Sequence, residues 1–131
     1  MSRMKRKSLA LLAAMVAVVA LLGASLGMAV AGTTALGTGF NLVGGPIGGD
    51  MPPAAWISCV PNTAWTAVYI WDAPHQQWLH FFNTAAGTPA YVNNTANGGI
   101  GTIPRFSGVA VIMSQAVASA KFADSPAQAC S

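Results

Sequence analysis

The sequence predicts a mainly β fold: a small antiparallel β-sandwich or partly open barrel with one short helix, preceded by an N-terminal signal helix. Three observations carry this. Beyond the N-terminal stretch the apolar runs are short, and most joins between them hold Gly, Pro or Asn. The centre of the chain holds two aromatic and β-branched runs, 65–71 and 77–82, on either side of a polar turn. Pro74 in that turn cannot donate to a ladder and Asp72 can bond its own backbone, so the chain should reverse there as a hairpin.

The N-terminus has a different character. Four of the six basic residues, Arg3, Lys5, Arg6 and Lys7, precede an uncharged apolar run from Leu9 to Val30. This is the order of a secretory signal, and Ala29-Val30-Ala31 offers small residues for cleavage between Ala31 and Gly32. The rival is an uncleaved anchor, since the run is long enough to cross a hydrocarbon core of about 30 Å. In both cases the remainder is exported, to the cell surface or beyond, and touches a membrane only through this segment. The expected layout is 1–31 signal peptide or anchor, 32–38 flexible start, and 39–131 a single β-domain.

The formal net charge of +3 therefore belongs to the leader. The remainder of the chain holds Arg105 and Lys121 against Asp50, Asp72 and Asp124, a balance of −1. No basic patch remains to neutralise phosphates, which sets nucleic acid aside as a partner. So few charges leave solubility to Asn, Gln, Thr, Ser and Gly, or to a partner that covers part of the surface. Cys59 and Cys130 suit one disulfide in an oxidising compartment, stabilising by about 4 kcal/mol on the chain-entropy account.

In order along the chain, Gly39 to Gly44 alternates as a first strand and ends in a Gly-Gly-Pro turn. Asp50 followed by Pro52 and Pro53 resembles a helix start with a capping acid, and Pro61 ends that helix. In the hairpin, alternation puts Trp65, Ala67, Tyr69 and Trp71 on one face of the first strand, and Trp78, His80 and Phe82 on one face of the second. Pro89 to Asn93 reads as a short extended edge piece, Asn94 to Gly101 as a turn, and Ile100 to Ile103 as a brief strand. Val109 to Met113 is a continuous apolar run of central-strand length. Ala116 to Phe122 is a last strand or short helix, and Asp124 to Ser131 a tail held by Cys130.

Read together, Gly39-Phe40-Asn41-Leu42-Val43-Gly44, Val68-Tyr69-Ile70-Trp71-Asp72 with Gln77-Trp78, Pro89-Ala90-Tyr91-Val92-Asn93 and the apolar strand near Val109 form an ordered set. The set resembles a small exported bacterial β-module, usually found on secreted or surface proteins. That module opens on Gly-Trp-Asn-Leu-Val-Gly and carries an aromatic Trp-Asp…Trp hairpin. Phe40 stands where the module has Trp, and Val109-Ala110-Val111 lacks its closing aromatic. The resemblance implies a β fold and a surface location, and no characterised activity or cofactor.

Two constellations are candidates for chemistry. Asp72, His75 and His80 are the one cluster of acid–base groups, with a spacing that could meet at one end of a hairpin for zinc binding or hydrolysis. The plainer reading is a turn-forming Asp with two surface histidines, and the expectation is no catalytic residues, no metal and no cofactor. The aromatics are the stronger clue. Trp56, Trp65, Tyr69, Trp71 and Trp78 could either fill the core or form a platform for sugar rings, with Asp72 and neighbouring amides accepting hydroxyls. The candidate ligand-binding set is thus Trp65, Tyr69, Trp71, Asp72, His75, Trp78 and His80. The primary expectation is a non-catalytic structural or interaction module engaging a protein or cell-envelope polymer, with a saccharide as the alternative ligand.

Overall fold

A computed structural model of the chain describes residues 33–126. The signal segment, the cleavage site at Ala31 and Gly32, and Cys130 lie outside the described residues. Thr33–Ser131 forms a compact unit of its own. Among the described residues, no helix is long and apolar enough to cross a membrane.

The unit is mainly β, with two antiparallel sheets. Strands β1 (Thr34–Leu36), β2 (Gly39–Gly44), β3 (Trp65–Asp72), β4 (Gln77–Phe82), β5 (Gly108–Met113) and β6 (Val117–Ala120) are joined by a one-turn helix α1 (Pro53–Trp56) and three short 3-10 turns. One sheet has the order β2-β5-β3-β4, and β1 pairs with β6 in the other. The apolar run at 109–113 becomes β5, an interior strand bonded to both β2 and β3, which is why its residues are apolar on both faces.

The hairpin forms as its residues require. Asp72 lies opposite Gln77, Trp71 opposite Trp78 and Tyr69 opposite His80. Gln76 donates its backbone N–H to Ala73 O at 3.3 Å and takes a left-handed φ of 52° to close the loop. Where β3 begins, one extra residue interrupts its pairing with β5: Trp65 faces Met113 while Ala67 faces Ile112. This bulge reverses the alternation. Trp65 joins Met113, Val68, Val111, Ile70 and Val109 on the core face, and does not share the face of Tyr69 and Trp71 that simple alternation predicts.

The core lies between that face and a layer supplied by α1, β1, β6 and nearby loops, through Leu36, Met51, Trp56, Ile57, Ile103 and Ala120. Prolines occupy the first turn of α1 as expected, but Asp50 does not cap it. Pro52 is the N-cap residue, and Asp50 Oδ1 instead accepts the Arg105 N–H at 2.8 Å. Three other expectations change. The start at 32–38 contains β1, whose Leu36 is buried against the core. Ala90–Asn93 is a 3-10 turn, because His80 holds the Val92 carbonyl and Asn93 turns its amide to β4. Ile100 to Ile103 contributes only one isolated pairing, Met51 with Ile103, and the preceding Gly99 pairs with His80. Cys59, just past α1, is not a free thiol.

Candidate functional site

The face of the four-stranded sheet turned away from the core is the most distinctive surface. Its membership follows from register. Tyr69 lies opposite His80 on one side and Ala110 on the other; Ala67 lies opposite Phe82 and Ile112; Phe40 pairs with Ile112, and Leu42 with Ala110. With Trp71 and Trp78 these residues form an outer face without a single charged side chain. Its middle is a floor of small residues, Ala67 and Ala110, both buried beneath their larger neighbours. Its margins are exposed: Trp71 is 46% accessible, Trp78 58%, Phe40 67% and Leu42 71%. Large apolar side chains gathered on one face of a domain this size mark an interaction surface more often than chance.

The rings are organised against one another. Trp71 and Trp78 meet across the strands at 5.3 Å between centroids, tilted by 64°. Tyr69 and Phe82 meet edge to face at 6.2 Å, and His80 lies 4.7 Å from Phe82. Each of these rings thus packs against an aromatic neighbour on the same face.

The acid–base cluster does not assemble. At the hairpin tip His75 Nδ1–H donates to Asp72 Oδ2 at 2.7 Å, and Gln77 Nε2 approaches the same oxygen at 3.4 Å. His80 stands three residues from Gln77 along β4, about 10 Å of strand, and on the opposite face from Asp72. Its Nε2–H is given to Val92 O at 2.7 Å; a carbonyl can only accept, so the proton sits on that nitrogen. Among the described residues no group of three His, Cys, Asp or Glu side chains is gathered where it could hold a metal ion.

The hydrogen bond from His75 holds the Asp72 carboxyl below its ordinary value, with Gln77 and the nearby imidazole adding to the effect. A depressed carboxylate contributes stability that is present above the unfolded pKa and lost as pH falls through the folded one. The pair is at the solvent-facing tip, so that contribution is small. Carboxyl-carbon NMR should find the Asp72 midpoint below that of an unstructured aspartate, and His75→Ala should move it upward. An identical midpoint in both proteins would mean that the 2.7 Å contact does not persist in solution.

The sequence-level candidates thus divide three ways. Tyr69, Trp71, Trp78 and His80 share the outer face; Asp72 and His75 form the tip pair; Trp65 turns inward and stacks on Phe81 at 5.9 Å. Trp56 is also core, 1% exposed. Trp65 and Phe81, with Ile57, Asn62 and Asn83, border an open cavity of about 300 Å³. Residue-by-residue reasoning misses Phe40, Leu42 and Ile112 as parts of the site. The alternation of Phe40 and Leu42 in 39–44 is the available signal, and by itself it defines only a strand.

The described residues thus form a mainly β domain whose four-stranded sheet carries an exposed, uncharged aromatic and apolar face. No protein-family model matches the chain, and no characterised protein or solved structure is detectably similar to it.

Proposed function

We propose that the chain is an exported, non-catalytic interaction module, a small β-sandwich whose outer sheet face engages a protein partner at the cell surface. The observation that carries this reading is the uncharged outer face with Trp71, Trp78, Phe40 and Leu42 exposed together. The N-terminal signal character of 1–31, release between Ala31 and Gly32, and a Cys59–Cys130 bridge belong to the same proposal, as does the resemblance to exported bacterial β-modules. The chemistry of the face favours protein over sugar. Its polar handles are few, chiefly the Tyr69 hydroxyl and the two indole N–H groups, because His80 Nε2 is committed to Val92. Trp71 and Trp78 are inclined by 64°, whereas a flat platform for consecutive sugar rings needs rings near one plane. Apolar side chains of a partner can fill the angle between them.

A second reading, saccharide binding, is favoured by the accessibility of the two indoles, each about half exposed. One experiment separates the two. The immobilised domain is challenged with a cell-envelope extract, beside a Trp71→Ala/Trp78→Ala variant that circular dichroism reports as folded. The expected result is retention of a protein, lost on protease treatment of the extract and weakened about thirtyfold or more in the variant, as for a buried aromatic hot spot. Soluble glycan that shifts the tryptophan fluorescence and competes would transfer the function to the second reading. Unchanged retention by the variant would remove this face from the function altogether.

A further inference from the structure

The two edges of the four-stranded sheet are finished differently. On β4, His80 donates its backbone N–H to Gly98 O at 3.0 Å, and its carbonyl accepts the Ile100 N–H at 2.8 Å. Two residues on, the Asn93 side chain imitates a strand: its Oδ1 accepts the Phe82 N–H at 2.7 Å, and its Nδ2 donates to Phe82 O at 2.8 Å. That edge is closed by the protein's own backbone and an amide. β2, at the other end of the order β2-β5-β3-β4, has β5 on one side and, among the described residues, no strand on the other. Asn41 reaches back to Gly37 O and Gly39 O, so its side chain secures the bend into β2 and does not cover the exposed Phe40 and Leu42. The devices that usually protect an edge are missing there: β2 contains no Pro, no Lys and no charge, and Phe40 and Leu42 stand out from it.

We propose that the open edge of β2 pairs antiparallel with β2 of a second copy of this chain, forming one continuous eight-stranded sheet. The strand's own pattern selects this occupant. A two-fold axis through Asn41 sets Phe40 opposite Leu42 of the second copy and Leu42 opposite its Phe40. Opposed residues in an antiparallel pair share a face, so all four apolar side chains meet on the outer face. Gly39 falls opposite Val43, and no like charges are brought together. The contact is isologous and closes on itself, giving a dimer and not a filament. The four side chains and one short ladder bury less than the roughly 1,200 Å² of stable complexes, so the dimer is reversible, with a dissociation constant on the order of 100 μM. This pairing goes beyond the partner-binding reading and meets it only at the β2 margin of the outer face: it takes up Phe40 and Leu42, while Trp71 and Trp78 on the far side of the sheet stay free for a partner.

The test is sedimentation equilibrium on Thr33–Ser131, a compact unit with its own core, at concentrations up to about 1 mM, roughly tenfold above the expected constant. The expected result is a monomer–dimer equilibrium, weakened about tenfold or more by Leu42→Lys, which sets a charge against an apolar partner at an exposed position. Hydrogen exchange supplies the second readout: in the dimer, amides within Phe40 to Val43 become protected as concentration rises, while those of Trp71 and Trp78 do not. A monomer throughout the range would overturn the proposal. So would a dimer that Leu42→Lys leaves intact and that brings no protection to β2. Neither result bears on the Trp71→Ala/Trp78→Ala experiment, so the two readings fail separately.

Discussion

Trp56→Ala should lower the stability of the domain by about 3–5 kcal/mol, the usual range for a Trp truncated in a packed core. Trp56 is 1% exposed and stacks on Phe122 with ring centroids 4.2 Å apart and planes 10° from parallel. Its backbone carbonyl accepts the Ala123 N–H at 3.0 Å. One residue therefore joins α1 to the segment after β6 by both ring and backbone. The helix holding it has four residues, far too few to form alone. Packing of the indole is what keeps that turn in place, so its loss would be felt beyond the cavity it leaves. A domain of this size has about 5–15 kcal/mol in total, which leaves the variant folded but marginal. Guanidinium unfolding followed by far-UV circular dichroism measures this directly. A change under about 1 kcal/mol would mean that Phe122 and its neighbours collapse into the space and that the stack is incidental.

That tryptophan also marks the limit of what local pattern reveals. The two hairpin strands are legible because their signals are local: period-two alternation, β-branched and aromatic residues, and a proline in the turn. The strands at 39–44 and 109–113 are legible for the same reason. Which tryptophans are core and which are exposed is not. Trp65 and Trp71 have the same parity in sequence, and the bulge near Thr66 sends them to opposite faces. A bulge depends on the partner strand, which lies more than forty residues away (Trp65 on Met113). β1 escapes notice because three small and apolar residues, Thr34 to Leu36, become a strand only when β6 supplies the ladder. Pro89 makes the Pro89–Asn93 piece read as extended, but the hydrogen-bonding demand of the β4 edge decides its shape.

The site is half visible for a related reason. Tyr69, Trp71, Trp78 and His80 come from one hairpin, whose pairing is set by its own turn. Phe40, Leu42 and Ile112 reach the same face only through the order β2-β5-β3-β4, which places the sequence-distant β2 and β5 beside β3. The Asp72, His75 and His80 spacing could suggest convergence in one dimension. In the sheet the parity of His80 takes it to the other face, where it braces the 90–93 turn. The histidine's role in the structure is to hold a neighbouring segment, and its ring adds to the aromatic face through Phe82.

Asn83→Ala should cost about 2–4 kcal/mol, unusually much for a polar side chain, since each buried group left unpaired costs about 1–3 kcal/mol. Asn83 is the one buried polar residue among those described, at 3% exposure. Its Nδ2 donates to Asn62 O and Trp65 O, both at 2.7 Å, and its Oδ1 accepts the Ala85 N–H at 3.0 Å. The amide thereby ties the loop before β3 and the turn after β4 to the first residue of β3. Removing it leaves two carbonyls and one N–H without their partner, and water entering from the adjoining cavity recovers only part of that loss. Asn83→Asp separates the donors from the shape. It keeps an acceptor for Ala85 but turns a carboxylate toward two carbonyl oxygens, so burial and those dipoles raise its folded pKa. A raised folded pKa means that the variant is relatively stable below the unfolded aspartate pKa and loses stability as pH rises through the folded value. Urea unfolding at about pH 3 and pH 7 should therefore find Asn83→Asp closer to the parent at the acid end, where a protonated carboxyl can donate once, while Asn83→Ala shows no such gap. Equal deficits for the two variants at both pH values would mean that the donated bonds to Asn62 and Trp65 contribute little, and that volume alone sets the cost.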